Sequence, residues 1–114
     1  MKYDLEDRTL EFGKNIIKFC QALTRNTINN ELVRQLVKSG TSIGANYREA
    51  NGAESKKDFT HKISISLKEA KETQYWLKLI LETNIESQKR IELLLKESLE
   101  LIKIFSSISK NSKS

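Results

Sequence analysis

The stretch "SGTSIGANYREANGA", residues 39–53, gathers three glycines, several short polar side chains and an Asn-Tyr-Arg-Glu patch, and it is where chemistry is first sought. A glycine-rich loop that cradles phosphate lies between a strand and a helix and, in its best-known form, ends in Gly-Lys-Ser/Thr. No strand-like segment precedes this stretch and no such ending follows it. Leu32, Val33, Leu36, Val37, Gly40, Ile43, Gly44 and Tyr47 instead keep an unbroken three- and four-residue step, which predicts one buried face of a helix. Gly40 and Gly44 share that face. They read as bare patches that let another helix come close, at about 1 kcal/mol each in helix propensity relative to alanine.

The other reactive residue types are sparse. His61 is the only histidine and Cys20 the only cysteine, so no histidine pair can bind a metal and no disulfide can form within the chain. Cys20 falls on an apolar stripe, where a buried and inert thiol is expected. Carboxylates are plentiful, but the Glu-x-x-His arrangement of a di-iron bundle is missing. Glu69 and Glu72 share a face with Trp76 and, without ligand partners, are expected to be solvated or paired with lysines. No catalytic residue, cofactor or metal is expected, and the inventory is that of a protein without enzymatic activity.

Two polar lines remain on the second helix. Gln35, Ser39, Ser42, Asn46 and Glu49 form a ridge suited to bonding between helices or subunits. Arg34, Lys38 and Arg48 form a basic line away from the apolar stripe, and Lys56, Lys57 and Lys62 follow around the next turn. These six are the candidate phosphate contacts, set against the plainer reading of a solvated face. The net charge of +5, from 20 basic and 15 acidic residues, is divided evenly between the two halves of the chain.

The elements that must position these residues are helical throughout. The 114 residues include no proline, the usual interrupter of long helices, and 38% are hydrophobic against 31% charged. The expected helices span about 4–24, 30–52, 56–83 and 87–109 of a single domain, residues 1–114. The first buries Leu5, Phe12, Gly13, Ile16, Phe19, Cys20 and Leu23, and opens with Asp4, Glu6 and Asp7, where the helix dipole favours negative charge. "TRNTINN" supplies the turn, Gly52 a C-cap, and Ser55 with Asp58 a capping box for the third helix. The third helix buries Phe59, Ile63, Leu67, Ala70, Leu77 and Leu81. The fourth carries Ile91, Leu94, Leu95, Ser98, Leu101, Ile102, Phe105 and Ile108, and "SSISKNSKS" is expected to fray. Four such helices with short connections give an all-α, antiparallel up-down-up-down four-helix bundle.

Apolar residues are left over. Ile65, Trp76 and Leu79 on the third helix, Leu93 and Ile104 on the fourth, and Leu10 and Ile17 on the first stand off the main stripes. A second apolar line requires a cover, which self-association would provide; the alternative is one wide stripe that touches two neighbours within the bundle. No apolar run approaches the roughly 20 residues of a membrane span. With one cysteine and no signal peptide, the cytoplasm is the expected location.

"QLVKSGTSIGANYREANGAESKKDF" followed by "SLKEAKETQYWLKLI" resembles the four-helix-bundle proteins encoded in intervening sequences of bacterial 23S ribosomal RNA genes. The family pattern Ser-Ile/Val-x-x-Asn-x-x-Glu-Ala/Gly is matched by Ser42, Ile43, Asn46, Glu49 and Ala50. A second pattern is matched by Leu67, Glu69, Ala70, Glu72, Trp76 and Leu77, and the opening "YDLEDRTLEF" extends the likeness over nearly the whole chain. Many relatives have proline where Gly44 stands, and glycine should leave this helix straighter. The resemblance implies a ring-like homo-oligomer, often a pentamer, and no known reaction. Related accessory proteins of diversity-generating retroelements bind nucleic acid, so RNA or DNA is the expected partner, with a protein–protein adaptor as the alternative. The resemblance also implies that Ser42, Asn46 and Glu49 are structural, fixing helix packing through buried hydrogen bonds, beside the close approach allowed by Gly40 and Gly44.

Overall fold

In a computed structural model, residues 4–113 form four α-helices: α1 (Leu5–Ala22), α2 (Thr27–Asn51), α3 (Lys56–Thr83) and α4 (Gln88–Lys113), with a 3-10 turn at Ile85–Ser87. Tyr3 of the family-like opening lies outside the described residues. Each helix packs on the next in chain order, and α4 returns to α1 with the least extensive contact of the four seams. The architecture is the antiparallel four-helix bundle that the periodicity predicts.

Side-chain caps set the helix starts. The Asp4 carboxylate accepts the Glu6 N–H, the Asn26 side-chain Oδ1 accepts the Asn29 N–H at 2.8 Å, and the Ser55 hydroxyl accepts the Asp58 N–H at 3.0 Å. Capping by Asn26 starts α2 at Thr27, a turn earlier than the expected Asn30. Gly52 caps the C-terminus of α2 at φ −98°, not in the left-handed conformation that requires glycine. At the other end of the chain, α4 continues helically to Lys113 where fraying from Ser106 was expected. Ile108 packs on the core and Ser109 is buried, which ties down that last stretch.

The core is a column of Phe12, Ile16, Phe19, Leu36, Ile43, Ile63, Leu77, Ile80, Ile91, Leu101 and Phe105. The Tyr47 ring meets Phe105 edge-on, with centroids 5.6 Å apart. Small polar groups between the apolar layers are satisfied locally or across a seam. Ser66 Oγ donates to the Ile43 carbonyl at 2.9 Å, and Thr73 Oγ1 lies 3.0 Å from Ser39 Oγ. At one end, Asn29 and Asn84 exchange amide hydrogen bonds of 3.0 and 2.9 Å. Asn29 also donates to the Thr24 carbonyl and Asn84 to the Ile80 carbonyl, so this buried pair joins the α1–α2 connection to the α3–α4 connection.

The glycines set the distance between α1 and α2. A Cβ on Gly40 would stand 3.0 Å from Ile16 Cγ1, and one on Gly44 would stand 3.0 Å from Thr9 Oγ1 and 3.3 Å from the Thr9 carbonyl carbon. At Gly40 the Ile16 side chain would have to give way by a few tenths of an ångström, whereas at Gly44 the α1 backbone itself is in the way. Gly13, on the facing side of α1, differs, because its added Cβ would meet Thr41 Cα at an ordinary 3.8 Å. Gly44→Val should therefore lose about 1–3 kcal/mol through overpacking. Gly13→Ala should gain up to about 1 kcal/mol in helix propensity. Urea unfolding followed by circular dichroism measures both.

Candidate functional site

The six basic residues expected to form one surface do not form a continuous row. Arg34 and Lys38 are exposed on α2, and Lys38 stands close enough to Glu69 of α3 to favour its ionised form. Arg48 turns the other way, onto the rim of the groove between α1 and α2 beside Glu6 and Asp7. Lys56 and Lys57 are exposed at the start of α3. Lys62 is already engaged, its ammonium 2.7 Å from the Glu49 carboxylate, and this hydrogen bond and charge raise its pKa. A straight line on a helical wheel ignores which flanking helix each long side chain leans toward, and the two flanks of α2 carry different acids.

The short polar ridge on α2 divides likewise. Ser39 and Glu49 bond across to α3, through Thr73 and Lys62 respectively. Ser42 and Asn46 donate instead to carbonyls of their own helix, Lys38 and Ser42. Within the subunit, then, neither Ser42 nor Asn46 makes a side-chain hydrogen bond to another helix among the described residues. A short donor in a helix interior readily reaches the carbonyl four residues back.

The apolar residues off the main stripes also fall into two groups. Leu10, Ile17, Leu79 and Leu93 are exposed, Leu93 by 70%, while Ile65 is half-buried. Trp76 and Ile104 pack against the core of their own bundle, because wide side chains at a helix flank reach inward. Packing encloses the Trp76 indole N–H without a hydrogen-bond partner among the described residues. Leu10 and Ile17 wall an open groove of about 420 Å³ whose other lining includes Gly13, Thr41, Gly44 and Ala45. A second hollow of about 370 Å³ lies alongside it, sharing Ile17 and adding Val33 and Val37. The periodicity did not point to Ile28, Tyr75, Ile85 and Leu99, which are exposed as well.

Among the described residues nothing in the arrangement resembles a catalytic centre. Burial pushes the Cys20 thiol up to about 11, which suppresses the thiolate that reactions require. Among the described residues no group of three or more His, Cys, Asp or Glu side chains could hold a metal ion, and no helix is long and apolar enough to cross a membrane. Burial, followed by repulsion from Glu72, raises the pKa of Glu69.

The sequence pattern of the 23S rRNA-intervening sequence proteins matches residues 1–107. The chain belongs to this family. Among solved structures, this 23S rRNA-intervening sequence protein is similar to a protein of unknown function from the S23 ribosomal protein family of Bacteroides thetaiotaomicron VPI-5482, determined by crystallography at 1.70 Å. The two are 39% identical, the match covers 94% of this chain and 99% of that one, and the TM-score is 0.82. No protein of curated function matches the chain.

Two measurements check the electrostatics of this family member. At pH 8 the native Cys20 thiol should react with a disulfide reagent about 100-fold more slowly than in urea, the ratio of thiolate populations for a two-unit rise in pKa. For Glu69, the raised pKa means that the folded state holds the proton more tightly than the unfolded chain. Stability should therefore decline as pH rises above the ordinary glutamate range, and Glu69→Gln should flatten that part of the curve.

Proposed function

We propose that this 23S rRNA-intervening sequence protein is a non-enzymatic homo-oligomeric scaffold, a pentameric ring that associates with RNA or DNA through basic surfaces and works in the cytoplasm. The observation that carries the reading is the apolar surface left uncovered by the bundle itself. Leu10 and Ile17, 56% and 41% exposed, wall the α1–α2 groove, and Leu93 projects from a different helix. Apolar surface of this kind on a soluble bundle marks a contact face. A groove and a projection on different helices of one subunit fit a head-to-tail contact, and such contacts close into rings when the rotation allows. Nucleic-acid association follows from charge. Five copies of a +5 chain would carry about +25, enough for salt-sensitive binding to phosphates.

A second reading, an adaptor that captures a partner's helix, draws on the same α1–α2 groove, since an apolar cleft between two helices is a common seat for an amphipathic helix. Solution mass and nucleic-acid retention separate the two. Light scattering at tens of micromolar should give about five times the 13.2 kDa chain mass, and Ile17→Glu should reduce it to smaller species without loss of helicity. A wild-type monomer overturns the assembly. Filter binding at low salt should retain RNA or DNA, whereas a stoichiometric protein partner with no nucleic acid retained favours the adaptor.

A further inference from the structure

Lys89, Lys96, Lys103 and Lys110 recur every seven residues along α4 and all four are exposed. Seven residues are nearly two full turns, so the four ammonium groups leave the helix on one side, drifting only about 20° per step. They stand about 10.5 Å apart in a row about 32 Å long. The row lies opposite the buried stripe of Ile91, Leu94, Leu101 and Phe105. Lys103 makes an exposed 3.5 Å pair with Glu100, and Lys89, Lys96 and Lys110 make no ion pair among the described residues. Of the three glutamates of α4, two are paired with cations and Glu92 keeps its charge beside a neutral amide. Glu97 holds Arg8 of α1 in a two-pronged pair at 2.7 and 2.8 Å, Glu100 holds Lys103, and Glu92 accepts from Gln88.

The neighbouring helix adds a complementary feature. On α3, Tyr75 is 57% exposed, with exposed Lys71 four residues before it and exposed Lys78 three residues after. Its ring is braced edge-on by Trp76, with centroids 5.1 Å apart. A braced, accessible aromatic between two cations is the arrangement on which an unpaired base stacks while its phosphates are neutralised.

We infer that the outward faces of α3 and α4 form a binding track for a single nucleic-acid strand, whose phosphates follow the α4 lysines while a base stacks on Tyr75. The track rests on the nucleic-acid reading proposed above and relocates its contacts away from α2. A membrane surface fits less well. The main apolar stripe of α4 is buried in the bundle core, and the exposed Leu93 and Leu99 are single side chains, not the continuous apolar face that a surface-bound helix lays into a bilayer. Lysines on flexible stems read charge and not base edges, so recognition is independent of sequence and nearly indifferent to the sugar.

The test is fluorescence anisotropy of the full-length protein with labelled 20-nucleotide single strands of mixed sequence, one of RNA and one of DNA, across a salt series. Both strands should bind with similar affinity. The slope of log K against log salt should be about −3 to −4, as expected for four to six neutralised phosphates on a single strand. The exposed double variant Lys96→Glu/Lys103→Glu should weaken binding at least tenfold and make the slope shallower by about 1.4. Lys18→Glu, an exposed change on α1, should leave affinity within threefold, and Tyr75→Ala should weaken it at least fivefold with the slope unchanged. Wild-type protein that binds neither strand removes this inference together with the nucleic-acid reading. Wild-type protein that binds but is indifferent to the α4 variant overturns the track alone, as does a duplex of equal length, or polyglutamate, bound as tightly as the single strand.

Discussion

The closeness of α1 and α2 is the constraint on which the rest of the bundle is built. Two bare positions, Gly40 and Gly44, let α1 settle so that Ile16 and Thr9 fill the space that side chains would take. That approach brings Phe12, Ile16 and Phe19 into one column with Leu36 and Ile43. It also shapes the outside, because Gly44, with Gly13, Thr41 and Ala45, lines the groove walled by Leu10 and Ile17. One economy of side-chain volume thus tightens the interior and opens a channel on the surface. The other seams close differently. α2 and α3 are joined by short hydroxyls reaching across buried positions, while α1 meets α4 through the Arg8–Glu97 pair and through Arg90 set over the Phe19 ring at 5.5 Å.

Much of this was legible in the residues. Helical periodicity located all four helices, and the four-residue spacing of Gly40 and Gly44 on an apolar face placed them against a neighbour, because both are local properties of a regular helix. Helix ends were less legible. Asn26 outcompeted its polar neighbours in "TRNTINN" as the cap of α2, and the last turns of α4 are held by packing of Ile108 and Ser109 that no local pattern records.

The surface was read least well, for a physical reason. Long side chains such as Trp76, Lys38 and Arg48 choose their partners across helices, and a single-helix projection does not contain those partners. Trp76 and Ile104 look exposed on a wheel yet pack inward, while Ser42 and Asn46 look like bridges yet return to their own backbone. The seven-residue spacing of the α4 lysines was visible in the sequence all along. Comparing charge between halves of the chain averages away a pattern that exists only within one helix.

The Asn29–Asn84 pair has a mechanical consequence. It joins two connections at the same end of a molecule 44 Å long, so the helices are pinned together there much as the arms of tongs meet at their joint. At the far end the ties are of another kind, among them the Lys62–Glu49 ion pair and an exposed contact from Asn51 to Glu6. Through the asparagine pair, a displacement of the α1–α2 connection is passed directly to the α3–α4 connection.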